Sequence, residues 1–346
     1  MRSPVRGPQI ELWNLHDGVP AYADAQRIFN VLGRLQDPAA FAALRYRLND
    51  GPVTPVHFKA SPNEGGRLAR LGDFNIDTID TAQLQNHNRL ALMARHKNGA
   101  EVTHSVEFPV LSSPVKKTHR LNLNGAELPQ QIGQIIDGRW QVSEDRNGQA
   151  CLEIREDDAG LDRIILLSTN TLDTGYRIRA RLAITAWTGS PYNVGLVFMW
   201  NPHLQGDGTS LPGQWSTGLG YYYSHCRGLR IRYGVDVHLD QFGKKIGDHI
   251  LGEKCFSLGR YWRSRLLEKA RLTAAPQPQL IPGSTYLFDL VIRDDIHALT
   301  VWRESGRQPP PQIVVHNPAR PLSAGAAGII AHRCALRIYD FEISSA

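Results

Sequence analysis

Strict alternation of apolar and polar residues recurs along most of the chain. Between Tyr176 and Ile184, Tyr, Ile, Ala, Leu and Ile occupy every second position, and three of the four residues between them are arginine. A period of two places the apolar side chains on one face of a β-strand. Leu44–Leu48 and Leu90–Ala94 repeat the pattern, and turn sequences such as Asn49-Asp50-Gly51 separate the segments. The sequence therefore predicts an all-β fold.

Residues 8–112 contain seven short segments of this kind. They are Ile10–Trp13, Arg27–Leu35, Ala43–Leu48, Val53–Phe58, Asp73–Ile79, Arg89–Arg95 and Glu101–Val110. Seven short strands in roughly a hundred residues are typical of an immunoglobulin-like β-sandwich. We therefore expect residues 8–112 to form one sandwich domain.

The order of three motifs in this region resembles a bacterial immunoglobulin-like module. These motifs are Asn30-Val31-Leu32-Gly33, Tyr46-Arg47-Leu48-Asn49 and Gly72-Asp73-Phe74-Asn75. The resemblance implies a structural or spacing module, usually on exported proteins, without catalytic residues of its own. No signal peptide is visible in Met1–Gln9, which lacks an apolar stretch. Localisation is therefore open from the residues, and only the resemblance favours export or the cell surface.

Residues 113–127 are polar and contain Pro114, Lys116 and Lys117, so we expect a linker there. Beyond it, residues 128–346 are predicted to form a second domain of strands. The predicted strands include Arg139–Ser143 paired with Ala150–Arg155, then Tyr176–Ile184, Asn193–Trp200, Ser323–His332 and Leu336–Ser344. The nearly continuous apolar run of Asn193–Trp200 favours a central strand buried on both faces.

The clearest hairpin joins Tyr286–Arg293 to Ile296–Arg303 around Asp294-Asp295. That turn pairs Phe288 with Val301 and Leu290 with Leu299 on the core face, and it places Trp302 on the opposite face.

The end of the chain resembles a laminin-G-like, concanavalin-like jelly roll. The hairpin just described, Gly325–Ile330 and the final strand Ala335–Ile343 carry the resemblance. It implies a jelly-roll sandwich over residues 128–346. Members of this superfamily include glycan-binding modules, glycoside hydrolases, polysaccharide lyases and adhesion modules, so the fold alone does not select a function.

A second hairpin is predicted in Gly218–Val235, with Arg227-Gly228 as its turn. This turn pairs Tyr223 with Arg232 and Tyr222 with Tyr233. The face predicted to enter the core carries Tyr222, Ser224, Cys226, Leu229, Ile231 and Tyr233. The opposite face carries Tyr221, Tyr223, His225, Arg230 and Arg232.

Ring surfaces, an imidazole and guanidinium groups on one face favour binding of a polysaccharide or glycoconjugate, in particular an anionic one. The predicted ligand-binding residues are Tyr221, Tyr223, His225, Arg230, Arg232, Trp200, Asn201, His203 and Trp302. The alternative for the hairpin face is an ordinary solvated surface with Arg–Tyr stacking.

Enzymatic activity is left open by the residues. A polysaccharide lyase would use His225 or Tyr223 to remove a proton while arginine neutralises the substrate carboxylate. A glycoside hydrolase would need paired carboxylates, but the superfamily motif E-x-D-x-x-E is absent. Asp340 and Glu342 share a face, and the alternative for Asp340 is a structural acid beside a β-bulge. A third hypothesis is a surface module that binds protein.

Charge and composition limit the remaining classes of partner. The net charge of +6 comes from scattered residues without a basic block, so nucleic acid is not a predicted partner. No run of about 18 apolar residues occurs, so no membrane span is predicted. The four cysteines form no C-x-x-C pair, which disfavours zinc. No cofactor is predicted; calcium, common in the resembling family, would have Asp207, Asp236 or Asp240 as candidate ligands.

Overall fold

The computed structural model describes residues 9–62, 68–111, 119–126, 128–160, 163–169, 175–189, 192–201, 217–225, 231–232, 236–237, 249–255, 271–272, 280–293, 296–316 and 325–346. Between residues 201 and 272 only the backbone of these segments is described. Three short 3-10 helices lie at Pro38–Ala40, Thr81–Gln83 and Pro129–Gln131. Among the described residues no helix is both long and apolar enough to cross a membrane.

All other regular elements of the described chain are β-strands. The first eight are β1 (Ile10–Leu12), β2 (Ala21–Tyr22), β3 (Ile28–Leu35), β4 (Phe41–Leu48), β5 (Thr54–Val56), β6 (Asp73–Asp80), β7 (His87–His96) and β8 (Glu101–Leu111). The next eight are β9 (His119–Arg120), β10 (Gln134–Asp137), β11 (Gln141–Glu144), β12 (Ala150–Ile154), β13 (Arg163–Leu166), β14 (Tyr176–Trp187), β15 (Tyr192–Asn201) and β16 (Thr217–His225). The last nine are β17 (Ile231–Arg232), β18 (Asp236–Val237), β19 (His249–Cys255), β20 (Arg271–Leu272), β21 (Ser284–Arg293), β22 (Ile296–Arg303), β23 (Ile313–His316), β24 (Ala326–His332) and β25 (Cys334–Ser345). The predicted all-β fold is confirmed.

The amino-terminal strands form a sandwich of two sheets with their own core. One sheet has the order β1-β3-β6 and the other the order β2-β8-β7-β4-β5. Phe29 of β3 stacks on Phe108 of β8 with ring centroids 5.6 Å apart, which links the two sheets. All seven strands predicted here are present; the sequence missed β2, because two residues show no periodicity. The immunoglobulin-like assignment itself stays a prediction.

The carboxy-terminal strands form a larger sandwich. A six-stranded sheet has the order β10-β13-β24-β15-β16-β19, and a nine-stranded sheet contains β11-β12-β25-β14-β21-β22-β23-β20 with β9 beside β25. Val194, Leu196 and Phe198 of β15 share one buried cluster with Phe288 and Leu290 of β21. These inward residues follow the period of two, so the core lies between the two sheets.

The hairpin β21–β22 has the predicted register. Phe288 pairs with Val301, Leu290 pairs with Leu299, and Leu287 pairs with Trp302. Phe288 and Val301 are each 1% exposed or less, whereas Trp302 is partly exposed. Trp302 therefore lies on the side of the nine-stranded sheet that faces away from the core, as predicted.

The predicted linker is ordered into the second sandwich from His119 onward. β9 pairs with β25 through Arg120 and Glu342, and Leu121 and Leu123 lie in the main core. The sandwich therefore includes residues before 128, although the domain boundaries as a whole stay a prediction.

The amino-terminal sandwich packs directly on the six-stranded sheet. Ala25 shares a buried cluster with Ile164, Val197 and Ile330, which lie on the sheet face opposite the main core. This second cluster explains why Asn193–Trp200 reads as a continuous apolar run. One set of its residues faces the sandwich core, and the other set faces the amino-terminal domain.

Buried hydrogen bonds join the same two domains. The indole Nε1 of Trp200 donates to Oε1 of Gln26 at 2.8 Å, and Gln134 Nε2 donates to the Ile28 carbonyl at 2.7 Å. Asn75 Nδ2 donates to Oδ1 of Asp137 at 3.1 Å. Since these polar groups are buried, their pairing removes the desolvation cost that unpaired groups would carry.

The predicted hairpin in Gly218–Val235 is wrong in its pairing. β16 lies between β15 and β19, and Tyr222 pairs with Gly195 and Leu251 instead of Tyr233. Both edges of β16 are occupied by these two strands. Ile231–Arg232, from the second half of the predicted hairpin, pairs with Asp236–Val237.

The backbone register of β16 places position 223 opposite Val194 and position 221 opposite Leu196. The assignment of the β16 side chains to two faces stays a prediction.

Candidate functional site

The outward side of the nine-stranded sheet, called here the outer face, carries the one predicted binding residue that the structure describes as partly exposed. Trp302 of β22 pairs with Leu287, Leu287 pairs with Arg181, and Arg181 pairs with Asp340. These four residues form a row across four adjacent strands. The row combines an indole, an aliphatic side chain, a guanidinium group and a carboxylate on a rigid sheet.

Trp302 has a side chain available for contact with a ligand. It is partly exposed, and its flat ring stands on a strand with Leu287 on one side. Aromatic rings at such positions offer a large apolar surface at low entropic cost. A partly exposed indole at this position provides surface for stacking on the apolar face of a sugar ring.

Arg181 is held in place by three neighbours. Its Nε lies 2.6 Å from Oε1 of Glu304, and its Nη1 donates to Oε1 of Gln149 at 3.3 Å. The guanidinium carbon lies 4.6 Å from the centre of the Tyr339 ring. These contacts fix the orientation of a fork-shaped donor beside the Trp302–Leu287 pair.

Tyr339 is itself anchored to the turn between β11 and β12. Its hydroxyl donates to Oδ2 of Asp145 at 3.0 Å. Burial is the main cause that raises the pKa of Tyr339, and the Asp145 carboxylate adds to it. Two hydrogen bonds from the backbone N–H groups of Gln149 and Asn147 lower the pKa of Asp145. The phenol therefore stays protonated at neutral pH and can hold this position.

Asp289 is the centre of the neighbouring row. It is 2% exposed, and its two carboxylate oxygens each accept a hydrogen bond from Arg177. This bonding raises the pKa of Arg177. Arg179 Nε lies 3.7 Å from the same carboxylate, with half of the Arg179 side chain exposed. Arg177 holds this carboxylate more closely than Arg179 does, and the exposed half of the Arg179 side chain can contact a ligand while its guanidinium stays beside Asp289.

Asp340 has the structural role that the sequence offered as an alternative. Arg181 pairs with Asp340 and Leu182 with Ile338, so Tyr339 is the extra residue of a β-bulge. Arg120 binds Asp340 with two hydrogen bonds, 3.3 and 3.0 Å long. This ion pair also raises the pKa of Arg120. Asp340 and Glu342 do share a face, and Arg120 occupies the carboxylate of Asp340.

Trp200 does not have the predicted role of a sugar platform. It is 2% exposed and lies against the amino-terminal domain, where its N–H binds Gln26. Sequence periodicity could not reveal this burial, because the covering residues come from a region about 175 positions earlier in the chain.

The other predicted site residues lie outside the described side chains. Residues His203 and Arg230 are not among the described residues, and for Tyr221, Tyr223, His225, Asn201 and Arg232 only the backbone is described. Their placement relative to Trp302 and their roles in binding or catalysis therefore stay predictions.

Neither a metal site nor a disulfide is found among the described residues. They contain no group of three or more His, Cys, Asp or Glu residues that could hold an ion. Asp207 and Asp240 lie outside the described residues, and only the backbone of Asp236 is described. Cys151 and Cys334 are buried free thiols, and burial raises the pKa of both.

Sequence reasoning missed the partners that shape the outer face. The alternation of β14 places Arg177, Arg179 and Arg181 outward, as the sequence indicated. It could not identify Asp289, Glu304 or Tyr339 as their partners, because these lie 112 or more positions away in the chain. For Asp289, the sequence indicated only that alternation along β21 places it on the same face as Trp302.

Comparisons with known proteins give structural neighbours and no family. No family model matches the chain, and no curated protein matches it. The exoplasmic/lumenal domain of VIP36 in its Ca²⁺/Man2-bound form is 8% identical, covers 66% of this chain and 88% of that chain, and has a TM-score of 0.41. The carbohydrate recognition domain of Emp47p is 13% identical. The match covers 68% of this chain and 100% of that chain, with a TM-score of 0.35.

A mutant of the GH43 protein BlXynB from Bacillus licheniformis is 12% identical to this chain. It covers 88% of this chain and 54% of that chain, with a TM-score of 0.32. The neighbours are thus lectin-type carbohydrate recognition domains and a glycoside hydrolase family member. At these identities and TM-scores, neither their ligands nor their activities transfer to this chain.

Proposed function

We propose that the protein recognises a carbohydrate and that the outer face around Trp302 contributes to the binding surface. The observation that carries the proposal is the partly exposed Trp302 indole in one row with Leu287 and Arg181. Sugar rings present an apolar face and a rim of hydroxyl groups. An indole meets the first by stacking, and fixed charged groups meet the second by hydrogen bonds.

The finer proposal is that the carbohydrate is an anionic polysaccharide. The chain carries a net charge of +6, and Arg179 keeps half of its side chain exposed beside an aspartate that Arg177 already occupies. Arg179 and Arg181 are two positions apart on one strand face, so about 7 Å separates them. Arg181 is held by Glu304 and Gln149. We therefore propose Arg179 as the main contact for an acidic group and Arg181 as a second positive charge beside it.

We propose recognition without cleavage. Three of the described acids of the outer face are engaged by arginine: Asp289 and Asp340 accept two hydrogen bonds each, and Glu304 binds Arg181. A general acid needs a raised pKa and a general base needs a free lone pair. These carboxylates serve the fold and the orientation of arginine side chains instead.

The test is a binding and cleavage panel on the full chain. A glycan array that includes neutral, uronic-acid and sulfated polysaccharides selects a ligand. Titration calorimetry then compares wild type with Trp302→Ala and Trp302→Phe. We expect the alanine variant to bind about tenfold more weakly, a loss of ~1.4 kcal/mol in binding free energy. The phenylalanine variant should keep most of the affinity, because its ring can still stack on the sugar.

Arg47→Ala is the charge control, because Arg47 is exposed on the amino-terminal sandwich. Equal affinity of wild type and Trp302→Ala would remove the outer face from the proposal. Release of reducing ends, or of unsaturated products absorbing near 235 nm, would replace recognition with hydrolase or lyase activity. An array without any hit would contradict carbohydrate recognition and favour a module that binds protein.

A further inference from the structure

A groove lies where the two sandwiches meet, on the amino-terminal side of the second sandwich. Its volume is about 550 Å³, and it is lined by Ile10–Asp17 except Asn14, by His104–Val106, by Leu128 and Pro129, and by Arg139–Val142. Small-molecule sites typically enclose about 300–1,000 Å³ and often lie at domain interfaces. The groove has the size and the position of such a site.

The groove is separate from the Trp302 surface. Gln141 and Val142 of β11 line it, and the sheet order from β11 to β22 passes through β12, β25, β14 and β21. Five strand spacings of about 4.8 Å place β11 roughly 24 Å from β22. One ligand of a few sugar rings therefore cannot occupy both places.

Two buried indoles contribute to the groove wall. Trp140 is 1% exposed, and its Nε1 donates to the Asp137 carbonyl at 3.0 Å. Trp13 is 9% exposed, and its Nε1 is buried without a hydrogen-bond partner among the described residues. Because this N–H is buried, a ligand in the groove can contact only the small exposed part of the Trp13 ring.

The charged groups of the groove are already paired within the protein. Arg139 Nη2 lies 2.8 Å from Oε1 of Glu11, and Gln36 donates to the other oxygen of Glu11 at 3.1 Å. Asp17 accepts the backbone N–H of Glu107 at 2.8 Å. Burial lowers the pKa of His16, so its imidazole is neutral at pH 7. An anionic ligand would meet no unpaired cation among these groups, whereas Asp17 keeps its negative charge.

We propose that this groove binds a neutral, hydroxyl-rich molecule such as a short uncharged oligosaccharide. Leu128 and Val142, both partly exposed, provide apolar contact for the ring faces, while His104, Ser105 and Gln141 provide donors and acceptors for hydroxyl groups. The site is additional to the anionic surface, and it does not depend on that surface being functional.

The test uses indole N–H resonances in the full chain labelled with ¹⁵N-tryptophan. The chain has seven tryptophans, and the variants Trp13→Phe and Trp302→Phe assign two of the peaks. Cellobiose, maltose and lactose are the neutral probes, and glucuronic acid is the charged one. We expect at least one neutral disaccharide to shift the Trp13 peak and to leave the Trp302 peak in place.

Two variants test the groove walls, and one serves as a control. His104→Ala and Gln141→Ala should each weaken binding of the active disaccharide at least threefold. His87→Ala should leave it unchanged, because His87 is exposed on β7 outside the groove. Urea midpoints of all three verify that the fold persists.

The outcomes separate this site from the proposed anionic surface. A Trp13 peak unmoved by all three disaccharides overturns the groove proposal, and so does a shift that His104→Ala and Gln141→Ala leave unaltered. A preference for glucuronic acid at Trp13 overturns the neutral ligand class. Failure of anionic polysaccharides to move the Trp302 peak counts only against the outer face.

Discussion

Trp200 and Gln26 are joined by a buried hydrogen bond of 2.8 Å that crosses the boundary between the two sandwiches. Gln26 also donates from Nε2 to Oδ1 of Asn30 at 2.8 Å and to the Ile28 carbonyl. One amide thus satisfies an indole of the second domain and two oxygens of the first. The amino-terminal domain is therefore a packed partner of the six-stranded sheet, in addition to any spacing role.

Replacing Gln26 by leucine should destabilise the whole chain. The buried Trp200 N–H would lose the Gln26 oxygen as its acceptor, and losing such a hydrogen bond in the interior costs about 1–3 kcal/mol. Urea unfolding followed by tryptophan fluorescence measures the loss. Gln85→Leu is the matched control, because Gln85 is exposed and only its backbone bonds to Asn88. Equal midpoints for the two variants would contradict this account of the interface.

The hairpins show which parts of the fold the sequence determines locally. For β21–β22, a two-residue turn and two strongly alternating strands leave one register that buries Phe288, Leu290, Leu299 and Val301. For β16, aromatic residues occupy successive positions, so alternation does not reveal which face is buried. Its true neighbours β15 and β19 depend on sheet closure, which a local pattern does not contain.

The residues of the candidate site also fall into two groups, those that local alternation places and those that long-range contacts place. Outward placement of Trp302 and of the β14 arginines follows from alternation alone. Burial of Trp200 and the groove at the domain junction follow from docking of segments that are distant in sequence. Neither the Gln26 contact nor the approach of Glu11 to Arg139 has a local signature, so both were beyond sequence reasoning.

Asp340→Asn should change little beyond the Arg120 contact. The Arg120 side chain is 72% exposed, and exposed ion pairs contribute about 0–1 kcal/mol. We expect a loss of stability below ~1 kcal/mol in urea unfolding and unchanged affinity for the polysaccharide ligand. Glu342→Gln serves as the control on the same face. A variant that loses binding entirely would mean that Asp340 contacts the ligand.

Asp289→Asn should move stability and binding in opposite directions. The neutral amide weakens two charge-assisted hydrogen bonds from Arg177, a loss of about 1.5–3 kcal/mol. It also leaves Arg177 and Arg179 without a counter-charge, so affinity for an anionic polysaccharide should rise. Urea unfolding and calorimetry on the same preparation measure both. Glu107→Gln, at an exposed position of the amino-terminal sandwich, is the control for general loss of acidic charge. Reduced affinity in Asp289→Asn would oppose the proposed surface.

His297 should make the second sandwich sensitive to acid. It is 2% exposed, packs edge-on against Phe198 with centroids 5.1 Å apart, and has a pKa lowered by burial to about 4 from 6.5. The unfolded chain binds this proton first, so the contribution is complete above pH 6.5 and is lost as pH falls towards 4. Its full size is about 3 kcal/mol.

His297→Leu should therefore flatten part of the pH dependence. Urea unfolding at pH 7, 5.5 and 4.5 should show a smaller decline of the free energy of unfolding in the variant than in wild type. His87→Leu, at an exposed position, provides the control. Parallel declines in wild type and His297→Leu would show that other groups, such as carboxylates, account for the acid sensitivity.

Arg230 and Arg232 remain the predicted anionic contacts outside the described side chains. They are two positions apart, so along a strand about 7 Å would separate them. Each can offer a bidentate fork to a carboxylate or sulfate group. The double variant Arg230→Ala/Arg232→Ala should bind an anionic polysaccharide at least tenfold more weakly, keep its melting temperature and show a smaller salt dependence, since screening acts on the lost charges.

Arg47→Ala/Arg95→Ala separates site contacts from net charge in this test. It also removes two charges, at exposed positions of the amino-terminal sandwich. A similar loss in both double variants would reduce the effect to long-range attraction by a chain of net charge +6. A drop of several degrees in melting temperature would assign Arg230 and Arg232 to a structural network. Full retention of binding would leave Arg179, Arg181 and Trp302 as the anionic surface. These residues lie on β14 and β22, which are separate from the Gly218–Val235 segment.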